Sequence, residues 1–177
     1  VRRMAVLLAI LVGLSCRQGQ NEQKTASLPS QVIEGFTLQE SSSGERLYTV
    51  EAETAYVFES FQRIDVIMPR VLFYNKDGKI HAELVADQGT VQTKNNDLVA
   101  RGNVLVLTAD SSSLRTDSLC WNNITQLIRT DAAVEIDTPK GHVTGYGLIS
   151  DAGLNKIEIE SEVKGTSEYQ FNQKVQH

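Results

Sequence analysis

From Val32 onward the apolar residues alternate at period two in short blocks separated by turn-forming residues, and no window carries an i, i+3, i+4, i+7 stripe. A chain with that period cannot hide its apolar side chains in a helix, so it must fold as strands. The blocks also repeat. Val50/Ala52, Leu84/Ala86, Leu114/Thr116 and Val143/Gly145 are equivalent, and 14 residues after each first member stand Ile64, Leu98, Ile128 and Ile157. Seven residues later in the first unit, and six in the others, come Val71, Val104, Val134 and Val163. Four units of about 30 residues result. The spacing predicts a strand, a turn and a returning strand, then a third strand after a tight bend. Asn95-Asn96-Asp97, Asn122-Asn123 and Gly153-Leu154-Asn155 supply turns, and Asp77-Gly78 reads as a type I′ hairpin between the Val71 and Leu84 strands. Glu59-Ser60-Phe61-Gln62 in the first unit has no strong turn signal. No single unit can bury its apolar face alone. The expectation is all-β: an elongated β-jelly roll of two antiparallel sheets built from about four repeated units.

Alternation assigns faces. In Val134-Glu135-Ile136-Asp137 the apolar side chains share one side and the carboxylates the other. The same phase turns Val71, Phe73, Leu84, Val104, Val106, Leu114, Val134, Ile136, Ile157 and Ile159 inward. Leu72, Tyr74, Leu105 and Leu107 are apolar on the outward phase, which predicts that a neighbour or the N-terminal segment covers part of the outside.

At 177 residues the chain suits one domain, and 17 Lys+Arg against 22 Asp+Glu give a net charge of −5. No basic run exceeds Arg2-Arg3, so a nucleic-acid partner is not expected. His81, His142 and His177 are scattered and fit no metal spacing. Ser41-Ser42-Ser43 and Ser111-Ser112-Ser113 lack the Gly-x-Ser-x-Gly elbow of a nucleophile. Asp65, Asp87, Asp117 and Asp131 read as solvated outer-face charges rather than paired catalytic carboxylates. Gly145-Tyr146-Gly147 precedes no helix and so relieves crowding in a twisted strand instead of holding phosphate. Cys120, next to the single tryptophan Trp121, reads as a buried and inert thiol. Neither an enzyme nor a cofactor is expected.

Arg2-Arg3 precede an apolar run from Met4 to Leu14, which is 11 residues long, whereas a spanning helix takes about 20. Residues 1–15 therefore read as a signal peptide or short membrane segment. Gly13-Leu14-Ser15-Cys16 is similar to a bacterial lipobox, with Gly13 where Leu is usual, and predicts lipidation of Cys16; a plain signal or short anchor is the alternative. Residues 16–31 are then a flexible linker, 32–165 the folded domain, and 166–177 a polar tail in which Tyr169 and Phe171 alternate as in a last edge strand.

Three stretches carry a resemblance: Met68 to Gly78, Ala86-Asp87-Gln88-Gly89-Thr90-Val91, and Leu98 to Val106 with its Arg101-Gly102-Asn103-Val104 core. Together with Leu114 to Leu119, Val143 to Leu148 and Lys156 to Ile159, their order resembles the LptC family of lipopolysaccharide transport proteins over about residues 32–165. The resemblance implies a β-jelly roll with a V-shaped opening. It implies that the domain accepts lipopolysaccharide from an inner-membrane ABC transporter of LptB, LptF and LptG, and passes it to a periplasmic LptA-like jelly roll by edge-strand pairing. It implies a place on the periplasmic face of the inner membrane, held by the N-terminal lipid or apolar segment. Family members usually carry a spanning N-terminal helix, from which the short run here departs. On this reading the ten inward residues form a lipid groove. The alternatives are a structural adaptor that never holds lipid for long, and an exported sandwich enzyme acting on envelope glycans, for which no rim of acidic and aromatic residues is present.

Overall fold

The structure, a computed structural model, describes residues 28–167. Eleven strands fill most of it: β1 (Gln31–Ser42), β2 (Glu45–Phe58), β3 (Arg63–Ile67), β4 (Arg70–Tyr74), β5 (Ile80–Val85), β6 (Gln88–Gln92), β7 (Leu98–Thr108), β8 (Ser113–Asn122), β9 (Leu127–Thr138), β10 (Gly141–Asp151) and β11 (Ile157–Ser167). All pairings are antiparallel, in the order β11-β10-β9-β8-β7-β5-β4-β2-β3-β6, with β1 on the other side of β2. The ladder divides in the middle. β4 and β5 bridge Tyr48–Glu51 of β2 to Leu105–Thr108 of β7, whereas β3 and β6 bridge Thr54–Phe58 to Leu98–Arg101. The jelly-roll walls are thus one continuous hydrogen-bonded sheet folded on itself.

Aromatic packing shows the fold-over. The Trp121 ring on β8 lies 4.8 Å from Phe73 on β4 and 6.4 Å from Tyr48 on β2, strands that are not its neighbours in the ladder. The Tyr48 hydroxyl donates to the Asn96 carbonyl at 2.8 Å, and Asn123 Nδ2 donates to Glu40 at 3.3 Å across the same gap. Burial, reinforced by Glu40 and Asp97, holds the Tyr48 phenol well above its usual pKa. Tyr48 and Phe73 are fully enclosed, and truncating such a ring costs about 3–5 kcal/mol.

Three expectations are corrected by this geometry. The tight bend expected after each returning strand is, in the last three units, a bulge inside one long strand. Register shifts fall between Arg101 and Val104 on β7, between Thr116 and Cys120 on β8, between Tyr146 and Leu148 on β10, and opposite Tyr146–Thr144 on β11. Gly102, Asn103, Gly147 and Glu162 take positive φ there. A bulge bends the strand without leaving the ladder. In the first unit the bend is a true break at Met68-Pro69, because proline cannot donate to the ladder, and Ala86-Asp87 breaks the facing strands β5 and β6 beside it. Asp87 braces the bend: its N–H donates to the Gly102 carbonyl at 2.9 Å, and its carboxylate accepts from Asn103 at 2.8 Å.

The hairpin assignment also moves. Asp77-Gly78 lies in a longer Asn75–Lys79 loop, where Asn75 Oδ1 accepts from the Asp77 and Lys79 N–H groups and only Gly78 has positive φ. The type I′ pattern sits instead at Ser43-Gly44 between β1 and β2, with φ of 53° and 85°. The weak turn of the first unit is a short 3-10 segment, Glu59–Phe61, closed by Gln62 in the left-handed region.

The third correction concerns Cys120. It is exposed, because the phase of β8 changes across the register shift between Thr116 and Cys120: Leu114 and Thr116 face inward, and so do Leu119 and Trp121, which puts Cys120 outside. Desolvation of the sulfur, helped by Asp131 and Asp97 and opposed by Arg101, still raises its thiol pKa. A raised pKa leaves less thiolate at neutral pH.

Two outcomes follow for stability. A Cβ at position 145 would lie 2.5 Å from Ile159 Cγ2 and 3.0 Å from the Ser161 carbonyl, so Gly145→Ala should cost about 1–3 kcal/mol in denaturant titration. His81, half-buried beneath the β10–β11 turn near Gly153, has its imidazole pKa lowered by burial, against opposing pulls from Asp151 and the Phe73 backbone. A lowered histidine pKa means that the unfolded chain binds the proton more readily. Stability should hold above the ordinary value of 6.5 and fall as pH drops below it, and in His81→Gln that part of the fall should vanish in pH-dependent thermal melts.

Candidate functional site

The inner face of β7 to β11 is a grid of four cross-strand rows. Nearest the turns runs Leu98–Trp121–Ile128–Ser150–Ile157, and next to it Ala100, Leu119, Thr130, Leu148 and Ile159. Beyond the bulges lie Val104–Thr116–Val134–Gly145 and Val106–Leu114–Ile136–Val143. Val71 and Phe73 of β4 and Leu84 of β5 are buried in the same core. All ten inward positions read from the alternation thus lie together: nine are buried, and Ile157 is partly covered and packs against the others.

The interior is tightly packed. Between the walls, Val71, Phe73, Leu84, Trp121 and Ile128 help line an apolar cavity of about 20 Å³, room for roughly one water. Among the described residues the sheet nevertheless does not close into a barrel, because β1 pairs only with β2, and β11 only with β10. Both free edges are irregular, with Gly35 on β1 and Glu162 and Gly165 on β11 at positive φ, a device that discourages indiscriminate strand pairing.

The outer face carries charge. Arg70 forks onto Glu83 at 2.7 and 3.1 Å and reaches Glu51 at 3.3 Å; the hydrogen bond from Arg70 holds the Glu83 carboxyl below its usual range. Exposed pairs of this kind contribute about 0–1 kcal/mol. Asp65 accepts from Thr90 and pairs with Arg63, and Asp117 and Asp131 are exposed. Of the apolar outward residues, Leu72 is buried beside Thr49, whose hydroxyl donates to Tyr74 under the Arg46 guanidinium, and Leu107 is exposed. Gly145 leaves the space that Ile159 fills, in keeping with the crowding expected there.

Linear spacing concealed one grouping. Glu135, Asp137 and His142 bring ligand-type atoms within 4.8 Å of one another on the β9–β10 hairpin, because strand register places His142 opposite Asp137. Asp137 is already engaged by His142 Nδ1 at 2.7 Å and by Arg115 at 3.1 Å, which hold its carboxyl below the usual range. Also missed were the buried polar atoms on the inner face, Trp121 Nε1 and Ser150 Oγ, which have no partner. An alternating apolar pattern treats Ser150 as a minor interruption and Trp121 as another apolar residue.

Cys16, the apolar run before it, the linker up to residue 27, and Tyr169 and Phe171 of the tail lie outside the described residues. Among the described residues no helix is long and apolar enough to cross a membrane.

No curated protein matches the chain significantly. The family model described as "Lipopolysaccharide-assembly, LptC-related" matches residues 4–168, nearly the whole chain and every strand of the sheet. The all-β ladder, its apolar interior and that match agree: the chain belongs to the LptC family, and its work lies in lipopolysaccharide transport.

Proposed function

We propose that this jelly roll carries lipopolysaccharide by sheltering its acyl chains between the two walls, receiving it from an LptB/LptF/LptG-type inner-membrane transporter and passing it to an LptA-like periplasmic jelly roll. One observation carries the reading: four mainly apolar cross-strand rows line the inside of a sheet whose β1 and β11 outer edges are unpaired among the described residues. Parting those edges would expose Val71, Phe73, Leu84, Val104, Val106, Leu114, Val134, Ile136, Ile157 and Ile159 to an entering chain. At about 25 cal/mol per Å² of apolar area, acyl burial offsets the packing lost on opening, and release then needs a neighbouring interior of like affinity. Edge pairing with a second jelly roll supplies that neighbour, with main-chain hydrogen bonds holding the joint. A lipid on Cys16, or the apolar run Met4–Leu14, would hold the domain at the periplasmic face of the inner membrane.

The tightly packed interior, with space for about one water, favours a second reading in which the domain is an adaptor that scaffolds the assembly. Photoactivatable residues at Phe73, Val106 and Ile136, with outward-facing Glu135 as control, separate the two in membranes supplied with ATP. Lipopolysaccharide adducts at the three inward positions and none at Glu135 are expected. Crosslinks to protein partners with no lipid adduct anywhere would assign the adaptor role.

A further inference from the structure

Among the described residues five side-chain polar atoms are buried without a hydrogen-bond partner: Arg63 Nε, His81 Nδ1, Trp121 Nε1, Asn123 Oδ1 and Ser150 Oγ. Two of them share the inner row nearest the turns, where Trp121 pairs with Ile128 and Ile128 pairs with Ser150. Both residues are more than nine-tenths buried, at 7% and 1% exposure. Other hydroxyls on the inner face differ. Thr130 accepts from the Ala132 N–H at 3.1 Å, and Thr116 donates to the Ser118 carbonyl at 3.4 Å, so the bulges satisfy them locally.

An unpaired buried hydroxyl or indole N–H destabilises a fold, and an alanine or phenylalanine would remove the cost while keeping the wall apolar. The partner must come from outside the fold. Its chemistry is constrained: Trp121 Nε1 can only donate, and Ser150 Oγ can donate or accept. Leu98, Ile128 and Ile157, which complete the row, bring no charge to meet a phosphate or carboxylate. The matching group is a neutral acceptor oxygen set in hydrocarbon, as in the ester or amide carbonyl at the head of an acyl chain.

We propose that Trp121 and Ser150 form a polar latch on the interior wall that hydrogen-bonds the carbonyl oxygens of acyl chains. The latch rests on the reading that acyl chains enter the interior. It adds a direction to that reading, with carbonyl groups at the row beside the turns and hydrocarbon on the rows that follow.

The test titrates the full chain calorimetrically with an ester-linked lysophosphatidylcholine and with its ether-linked counterpart of equal chain length, both below their micellar concentrations, alongside lipid A. The two lysolipids differ in the carbonyl alone. The wild-type protein should bind the ester about five- to tenfold more tightly, and Ser150→Ala and Trp121→Phe should each shrink that ratio with ether binding unchanged. Ligand-free Ser150→Ala should melt at or above the wild-type temperature, which separates a ligand contact from a structural one. Equal binding of ester and ether by the wild type, or variants that weaken both alike, overturns the latch and leaves the conduit standing. If lipid A and both lysolipids fail to bind, the conduit and the latch fall together.

Discussion

The phase of the inner face is the constraint on which the rest of this molecule depends. Five long strands, β7 to β11, each cross from one pair of rows to the next at a register shift whose extra residue lies on β7, β9 or β11, and every strand must bring apolar side chains back to the inside after it. The step is four residues on β7 (Ala100 to Val104), β9 (Thr130 to Val134) and β11 (Ile159 to Val163), and three on β8 (Thr116 to Leu119) and β10 (Gly145 to Leu148). An even step preserves the parity of the alternation, and an odd step reverses it. Because even and odd strands take complementary steps, the bulges line up, the sheet bends along one seam, and the core stays continuous on both sides.

That arithmetic explains what was legible in the sequence and what was not. The six-residue spacing from Leu98 to Val104, Ile128 to Val134 and Ile157 to Val163 keeps parity, so alternation placed these residues on the correct face although it mistook a bulge for a bend. Cys120 shows the opposite case. Continuing the phase of Leu114 and Thr116 along β8 puts Cys120 inside, and the odd step puts Leu119 and Trp121 there instead. A bulge is made by backbone dihedrals at residues such as Asn103 and Glu162, neither of which is a turn former as strong as Asn-Gly, so composition alone leaves it unmarked. The β1–β2 turn was obscure for a similar reason: Ser43-Gly44 closes a type I′ hairpin, and the stronger-looking Asp77-Gly78 serves a longer loop.

The candidate site divides along the same line. Its apolar members follow from period two, because burial of alternate residues is what the pattern records. Its polar members do not, since whether Ser150 has a partner depends on the three-dimensional surroundings of one oxygen, not on the residue's place in an alternating string. Nor could spacing along the chain reveal Glu135, Asp137 and His142 as neighbours; cross-strand register does that. The resemblance carried by the repeat order reached the family, which the match over residues 4–168 establishes.

A closed core and an open sheet are compatible if the same residues serve two states. Among the described residues no hydrogen-bonded ladder joins β1 to β11; away from the bridging strands the walls are held by side-chain packing, above all the Trp121, Phe73 and Tyr48 cluster, and by the few hydrogen bonds that Tyr48 and Asn123 make across the gap. Packing of this kind is non-directional, so under the proposed function acyl chains would replace the opposing wall contact for contact. A ladder closed between β1 and β11 would make the same exchange far costlier, because each broken backbone pair would need a new partner in an apolar setting. On the proposed carrier reading, the bulged edges would let the interior exchange one set of packing partners for another without breaking a ladder, which is the property that handing an amphiphile to a neighbour requires.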